Sequence, residues 1–319
     1  MKSRKSFIVH IGRIIQRIPL GVFLPFEKMI VGERVNLIEQ KDFDMIVLMA
    51  APRSGSTLTY QCFMAATNVF GLSNVANLLF RIPLIGLLIQ NSLCRDSTSK
   101  FNSNEGFIGG LCGASEGMMF WGKWTSSSMD DRRYALDYGA HAHFKNVAMY
   151  LTKKTGRPLM SGYLGHTLNA GTLQNNFTNV RYVVLFRDPI NTALSLLKVR
   201  RKSEAEWISI FPKECESVLE RSIFEQVMAQ VYWANRRLLK CARAKNSIVL
   251  HFEELCSDPN GTVSRVVGEL RSNGSRISLN DTLPNNFVSR DIDNMSPDYL
   301  KLKDCLYYLE NKFGNLDIY

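Results

Sequence analysis

The 319-residue chain predicts an α/β fold, a single domain with a central parallel β-sheet flanked by helices. Three observations carry that prediction. Met45 to Ala51 is an unbroken apolar run, the pattern of a strand buried on both faces. Tyr182 to Phe186 repeats it later in the chain. Between and beyond these runs, short apolar segments alternate with stretches of helical period. In one sheet that alternation implies parallel strands joined by right-handed crossovers.

The first strand, over 44–50, gives way abruptly to Pro52-Arg53-Ser54-Gly55-Ser56-Thr57. A helix over 57–69 follows, with Leu58, Cys62 and Ala65 at spacings of three and four. A turn of small residues between a buried strand and a helix N-terminus is a phosphate cradle, because backbone N–H groups and the positive end of the helix dipole face the anion. Gly55 permits close backbone approach. Arg53 adds charge, and Ser56 and Thr57 add hydroxyl donors. The arrangement is P-loop-like, yet Ser56 stands where a Walker A loop carries its lysine. The loop suits a phosphate group better than a nucleoside triphosphate held with Mg²⁺.

Residues 75–125 read as helices and loops inserted over the cleft, and 101–115, rich in Gly, Asn and Ser, reads as a mobile loop. A helix over 130–155 and a strand over 157–163 come next. The strand at 180–186 leads to Arg187, at the strand's carboxyl end, where ligands bind in open α/β sheets. Asp188 suits an N-cap and Pro189 the first helical position. Ser195 lies two turns into the helix over 189–202, so Arg187 and Ser195 can hold a second phosphate. A helix over 217–245, a strand over 247–252 and a helical remainder with a polar loop near 272–296 complete the chain.

Together, Pro52 to Thr57 and Arg187-Asp188-Pro189 with Ser195 resemble the sulfotransferases that use 3′-phosphoadenosine 5′-phosphosulfate (PAPS). The segment Phe252-Glu253-Glu254-Leu255 resembles that superfamily's late Tyr-Glu-Asp-Leu element, with Phe252 in place of Tyr and Glu254 in place of Asp; it adds a strand and no chemistry. The resemblance spans about residues 43–272. Phe70-Gly71-Leu72-Ser73-Asn74, and Glu116 with Phe120, Trp121 and Trp124, resemble a bacterial branch of the superfamily. The resemblance implies sulfuryl transfer from PAPS to a hydroxyl of a glycan or small-molecule acceptor, with no metal. It implies that Arg53, Ser54, Gly55, Ser56 and Thr57 grip the 5′-phosphosulfate, with Arg53 beside the transferred group. Arg187 and Ser195 would grip the 3′-phosphate, and Arg290, after Ser289 in the polar late loop, would close over it.

A general base should take the acceptor's proton. His166 stands near the place where cytosolic relatives carry a Lys-x-His segment, although Gly162 or Tyr163 occupies the lysine position. Glu116 is the other candidate: a lone carboxylate beside Met118, Met119, Phe120 and Trp121, where apolar surroundings raise a carboxyl pKa. Trp121 or Trp124 is a candidate for stacking on a sugar or adenine ring, and His141 and His143 read as structural or acceptor-contacting.

The formal net charge of +10 suits an anionic donor, and no helix-turn-helix, zinc finger or RNP pattern points to nucleic acid. Seven scattered cysteines, odd in number and without a C-x-x-C, imply a reducing compartment, hence a cytoplasmic protein, and no zinc site. Residues 1–40 form a basic amphipathic segment and 41–319 the catalytic domain. No apolar run in that segment is long enough to span a membrane. The segment either packs its apolar stripe on the domain or lies on an anionic membrane surface. Two alternatives stay open: a degenerate sulfotransferase fold used as a binding module, and a P-loop nucleotide kinase. The number of subunits has no signature.

Overall fold

The computed structural model describes residues 25–31, 43–94, 101–103, 106–125, 127–133, 138–171, 173, 177, 179–203, 206–288 and 293–318. Five parallel strands form its sheet in the order β2-β3-β1-β4-β5. They are β1 (Met45–Ala50), β2 (Phe70–Gly71), β3 (Leu159–Ser161), β4 (Val180–Phe186) and β5 (Ser247–His251). Every residue of β1 and β4 is buried, as strands covered by helices on both faces must be. They pair in register from Met45 opposite Val180 to Ala50 opposite Leu185, so their carboxyl ends, and the two loops that follow, lie side by side.

Helix α1 (Ser56–Ala66) follows β1, and α2 (Asn74–Leu78), α3 (Pro83–Leu93) and α4 (Met118–Thr125) lie in the insertion between β2 and β3, with α5 (Tyr138–Thr155). Then come α6 (Gly165–Leu168) after β3, α7 (Pro189–Lys202) and α8 (Ile223–Ala242) between β4 and β5, and α9 (Phe252–Ser257), α10 (Pro259–Ser272) and α11 (Pro297–Phe313). Some boundaries differ from the sequence reading for local reasons. β3 is shorter than 157–163, held between Pro158 and Gly162. Helix α8 starts at Ile223, because Ser222 and Glu225 form a reciprocal capping box that fixes the N-terminus there.

At the amino end of the sheet, Asp44 accepts from Arg181 Nη1 at 2.9 Å, from the Ser275 hydroxyl at 3.0 Å and from Arg276 N at 2.7 Å. That buried carboxylate ties β1, β4 and the end of α10 together. Of the N-terminal segment, 25–31 is helical and packs on the domain. Glu27 is buried, takes Ile85 N at 3.0 Å and pairs with His143 Nε2 at 3.1 Å. Residues 1–24 lie outside the described residues. Among the described residues, no helix is long and apolar enough to cross a membrane.

The insertion corrects two expectations. The described part of the loop expected to be mobile is strapped down. Asn74 Nδ2 donates to Ile108 O at 2.7 Å and Gly110 O at 2.8 Å, Val75 N to Leu111 O at 2.9 Å, and Ser115 N to Leu72 O at 2.9 Å. Nor are all seven cysteines thiols, since Cys94, just past α3, is disulfide-bonded to Cys112 in the strap. The pairing comes from the strap folding back over α2, a contact that spacing alone does not announce.

Candidate active site

The turn after β1 is built by Ser54, whose hydroxyl donates to Ala51 O at 2.8 Å. Arg53 takes a φ of 65° and Gly55 a φ of 94°, and Gly55 is the N-cap of α1. No side chain caps that helix, so its first N–H groups are left to face an anion. Gly55 is also sterically required, because a Cβ there would stand 2.1 Å from the Phe252 ring.

The turn after β4 converges on the same place. Asp188 Oδ1 accepts from Asn191 N at 2.7 Å and caps α7, with Pro189 at its first position. Arg187 Nη1 donates to the carbonyl of Arg53 at 3.1 Å, while Arg53 Nε donates to Ser195 Oγ at 3.4 Å. The Arg187 guanidinium lies 4.6 Å from the centre of the Phe252 ring, and its Nε is buried without a partner. Burial lowers its pKa, and it remains charged. Two arginines, a serine hydroxyl and an uncapped helix therefore meet at the carboxyl ends of neighbouring strands. Of these groups Arg187 Nε is left without a protein acceptor, which suits an anionic ligand.

The strap brings Glu116 to this centre. Thr57 Oγ1 donates to Glu116 Oε1 at 3.5 Å. Desolvation pushes the carboxyl from 4.5 up to about 7, against the lowering effects of the Thr57 hydroxyl and the Arg53 charge. A group so poised exchanges its proton near neutrality. His166 is placed otherwise. It is fully buried, its Nδ1 lies 3.0 Å from Ser127 Oγ and its Nε2 2.9 Å from Ser161 Oγ, and Trp121 and Tyr163 stand edge-on to its ring. Burial pushes its pKa down to about 3, so the ring is neutral. Trp121 and Trp124 are buried in the core and offer no stacking face, and Trp124 Nε1 donates to Phe80 O at 2.5 Å. Ser289 and Arg290 lie outside the described residues.

A sequence profile described as "Sulfotransferase family" matches residues 45–271, most of the chain. The chain belongs to the sulfotransferase family. Sulfotransferase STF9 from Mycobacterium avium shares its fold, with a TM-score of 0.50 and 13% identity over 92% of this sulfotransferase and 76% of that chain. The sulfotransferase domain from the curacin biosynthetic pathway aligns over 72% of this chain and 74% of its own, with a TM-score of 0.39 and 16% identity. No curated protein sequence matches this sulfotransferase.

Phe252 is the site residue that sequence reasoning passed over. It backs both Gly55 and Arg187, although its segment had been read as carrying no chemistry. A usable signal existed: Phe252 directly follows β5, and ligands gather at strand carboxyl ends in such sheets.

Proposed function

We propose that this sulfotransferase takes its sulfuryl group from PAPS and delivers it to a hydroxyl of a small-molecule or glycan acceptor. The observation that carries this reading is the pair of anion grips on β1 and β4, joined by the Arg53–Ser195 and Arg187–Arg53 hydrogen bonds. A nucleotide phosphorylated at both the 5′ and 3′ positions presents two anions to such a pair. The partnerless Arg187 Nε and the uncapped N-terminus of α1 fit it.

In this reading Ser54 to Thr57 and Arg53 hold the 5′ group, and Arg187 and Ser195 the 3′-phosphate, with Arg290 a further candidate there. PAPS supplies the sulfuryl group: the bond from sulfur to the 5′-phosphate oxygen breaks, the bond from sulfur to the acceptor oxygen forms, and adenosine 3′,5′-bisphosphate departs with the electron pair. Glu116 takes the acceptor's proton. Its raised pKa makes it a stronger base than an exposed carboxylate and leaves a large ionised fraction at neutral pH. Arg53 and the helix N-terminus stabilise charge on the departing oxygens. His166, neutral and with both ring nitrogens engaged, orders the fold beneath Trp121.

Calorimetry with adenosine 3′,5′-bisphosphate tests the donor; a protein that does not bind it is not PAPS-dependent. The base is tested by the pH profile of kcat/KM. Activity should rise through about pH 7 in the parent enzyme, and Glu116→Gln should lose that limb together with turnover. An unchanged profile would return the role to another group. The Cys94–Cys112 disulfide removes the cysteine argument for a reducing, cytoplasmic setting, and for the basic N-terminal segment we propose a peripheral contact with an anionic membrane. Exposed Phe26 and Met29 support that contact, and co-sedimentation with anionic vesicles measures it.

A further inference from the structure

Beside α1 runs a cavity of about 500 Å³. One wall is the helix face bearing Gln61, Met64 and Ala65, another is β2, and the outer wall is the strap over 108–114. Thr57, Gln61 and Ala65 follow one another at four-residue spacing, so this face continues the one that presents Thr57 to Glu116. The strap itself leads to Glu116. Near its start, a Cβ on Gly106 would stand 3.4 Å from Thr57 Oγ1. The first residue of α1 to line the cavity, Gln61, thus lies one helical turn beyond Thr57, the residue that bonds the proposed base.

Arg157 marks the other end. Its Nε donates to Asn68 O at 2.8 Å and its Nη2 to Val69 O at 2.7 Å, just beyond the end of α1, and the guanidinium lies 5.1 Å from the Phe70 ring centre. Among the described residues no carboxylate pairs with it, and desolvation lowers its pKa. Among the described residues, no Asp or Glu lines the cavity. A half-buried guanidinium without a counter-ion carries a desolvation cost that a bound anion would offset. Between the two ends the walls mix apolar Met64, Ala65, Ile108 and Leu111 with polar Ser73, Gln90, Asn91 and Asn102. From Thr57 to the end of α1 at Ala66 the helix rises about 14 Å. The Cys94–Cys112 bond and the Asn74 hydrogen bonds hold the strap in place, so the cavity is preformed.

We propose that this cavity is the acceptor chamber, and that it takes an elongated small molecule with a hydroxyl at one end and a single carboxylate at the other, held by Arg157. The assignment rests on Glu116 and the phosphate loop forming the transfer site. Among the described residues that line it Arg157 is the one cation, so a polyanionic glycan chain would find no track there for its further charges.

The test uses two probes matched to that span, ω-hydroxydodecanoate and its uncharged methyl ester. Each is titrated calorimetrically into the full chain, with and without adenosine 3′,5′-bisphosphate. The acid should bind about tenfold more tightly than the ester, as a charge-assisted hydrogen bond provides. Arg157→Gln should erase that difference and leave ester binding in place, whereas Ala65→Phe should fill the chamber and remove both probes without touching nucleotide binding. Equal affinity for acid and ester in the parent protein overturns the assignment, as does binding of neither, and this comparison needs no variant. A preference for the acid that survives in Arg157→Gln overturns it too. Nucleotide binding is read in the same titrations. Its absence sinks the donor reading, while nucleotide binding with indifferent probes sinks only the chamber.

Discussion

Glu116→Gln should make the folded protein more stable at neutral pH while removing turnover. The carboxyl titrates at 4.5 when unperturbed and at about 7 in the fold, so the native state holds a proton that the unfolded chain releases between those values. Stability contributed by this group is therefore full below about pH 4.5 and declines as pH rises through the window towards 7. Integrating the difference in bound protons from about pH 5 to about pH 8 gives a loss of about 2–3 kcal/mol from this one residue. Gln keeps the shape and a carbonyl acceptor for Thr57 but cannot ionise. For a chain of this length that energy corresponds to roughly 4 °C in Tm. The assay is thermal unfolding of parent and variant across that pH range. The two curves should coincide at the acid end and separate as pH rises, with the variant on top. Parallel curves would show that Glu116 ionises in the fold as freely as in the unfolded chain. The reasoning that makes it a neutral-pH base would then be wrong as well.

Three further perturbations report on other parts of the site. Arg187→Ala should weaken adenosine 3′,5′-bisphosphate binding by about 30-fold or more, the worth of a charge-assisted contact to phosphate, and calorimetry should show little change in Tm alongside it. Gly55→Ala must adopt a φ of 94° and displace the Phe252 ring, so it should cost at least about 1–2 kcal/mol in denaturant unfolding and lose nucleotide affinity; a neutral effect would mean that the ring is free to move. Cys94→Ser opens a closure of 18 residues and should lower stability by about 3 kcal/mol on the chain-entropy account, with reductant producing the same shift in the parent and none in the variant.

What was legible in the sequence follows from how each part is encoded. The strand–loop–helix at Met45 to Ala66 and the strand–Arg–Asp–Pro element at Val180 to Lys202 are contiguous strings, and their turn chemistry is local: a helix left uncapped at Gly55, a proline at the first position of α7. The parallel sheet was implied by alternation. Placing β1 beside β4 then joins two local signals into one site, so that Arg53 reaches Ser195 across 142 positions of sequence. The remainder has no local signature. Whether His166 is a base or a buried ring depends on Ser127 and Ser161, which belong to other segments. Phe252 enters the site because β5 lies next to β4. The strap became a wall through Asn74 and a disulfide, whereas its own Gly, Asn and Ser content argued for mobility. This division has a physical basis. A phosphate is recognised by backbone amides and helix ends, which a short motif specifies completely. The acceptor chamber proposed above is a cavity whose walls come from α1, β2, the strap and Arg157, and no single stretch of sequence encodes its shape and charge.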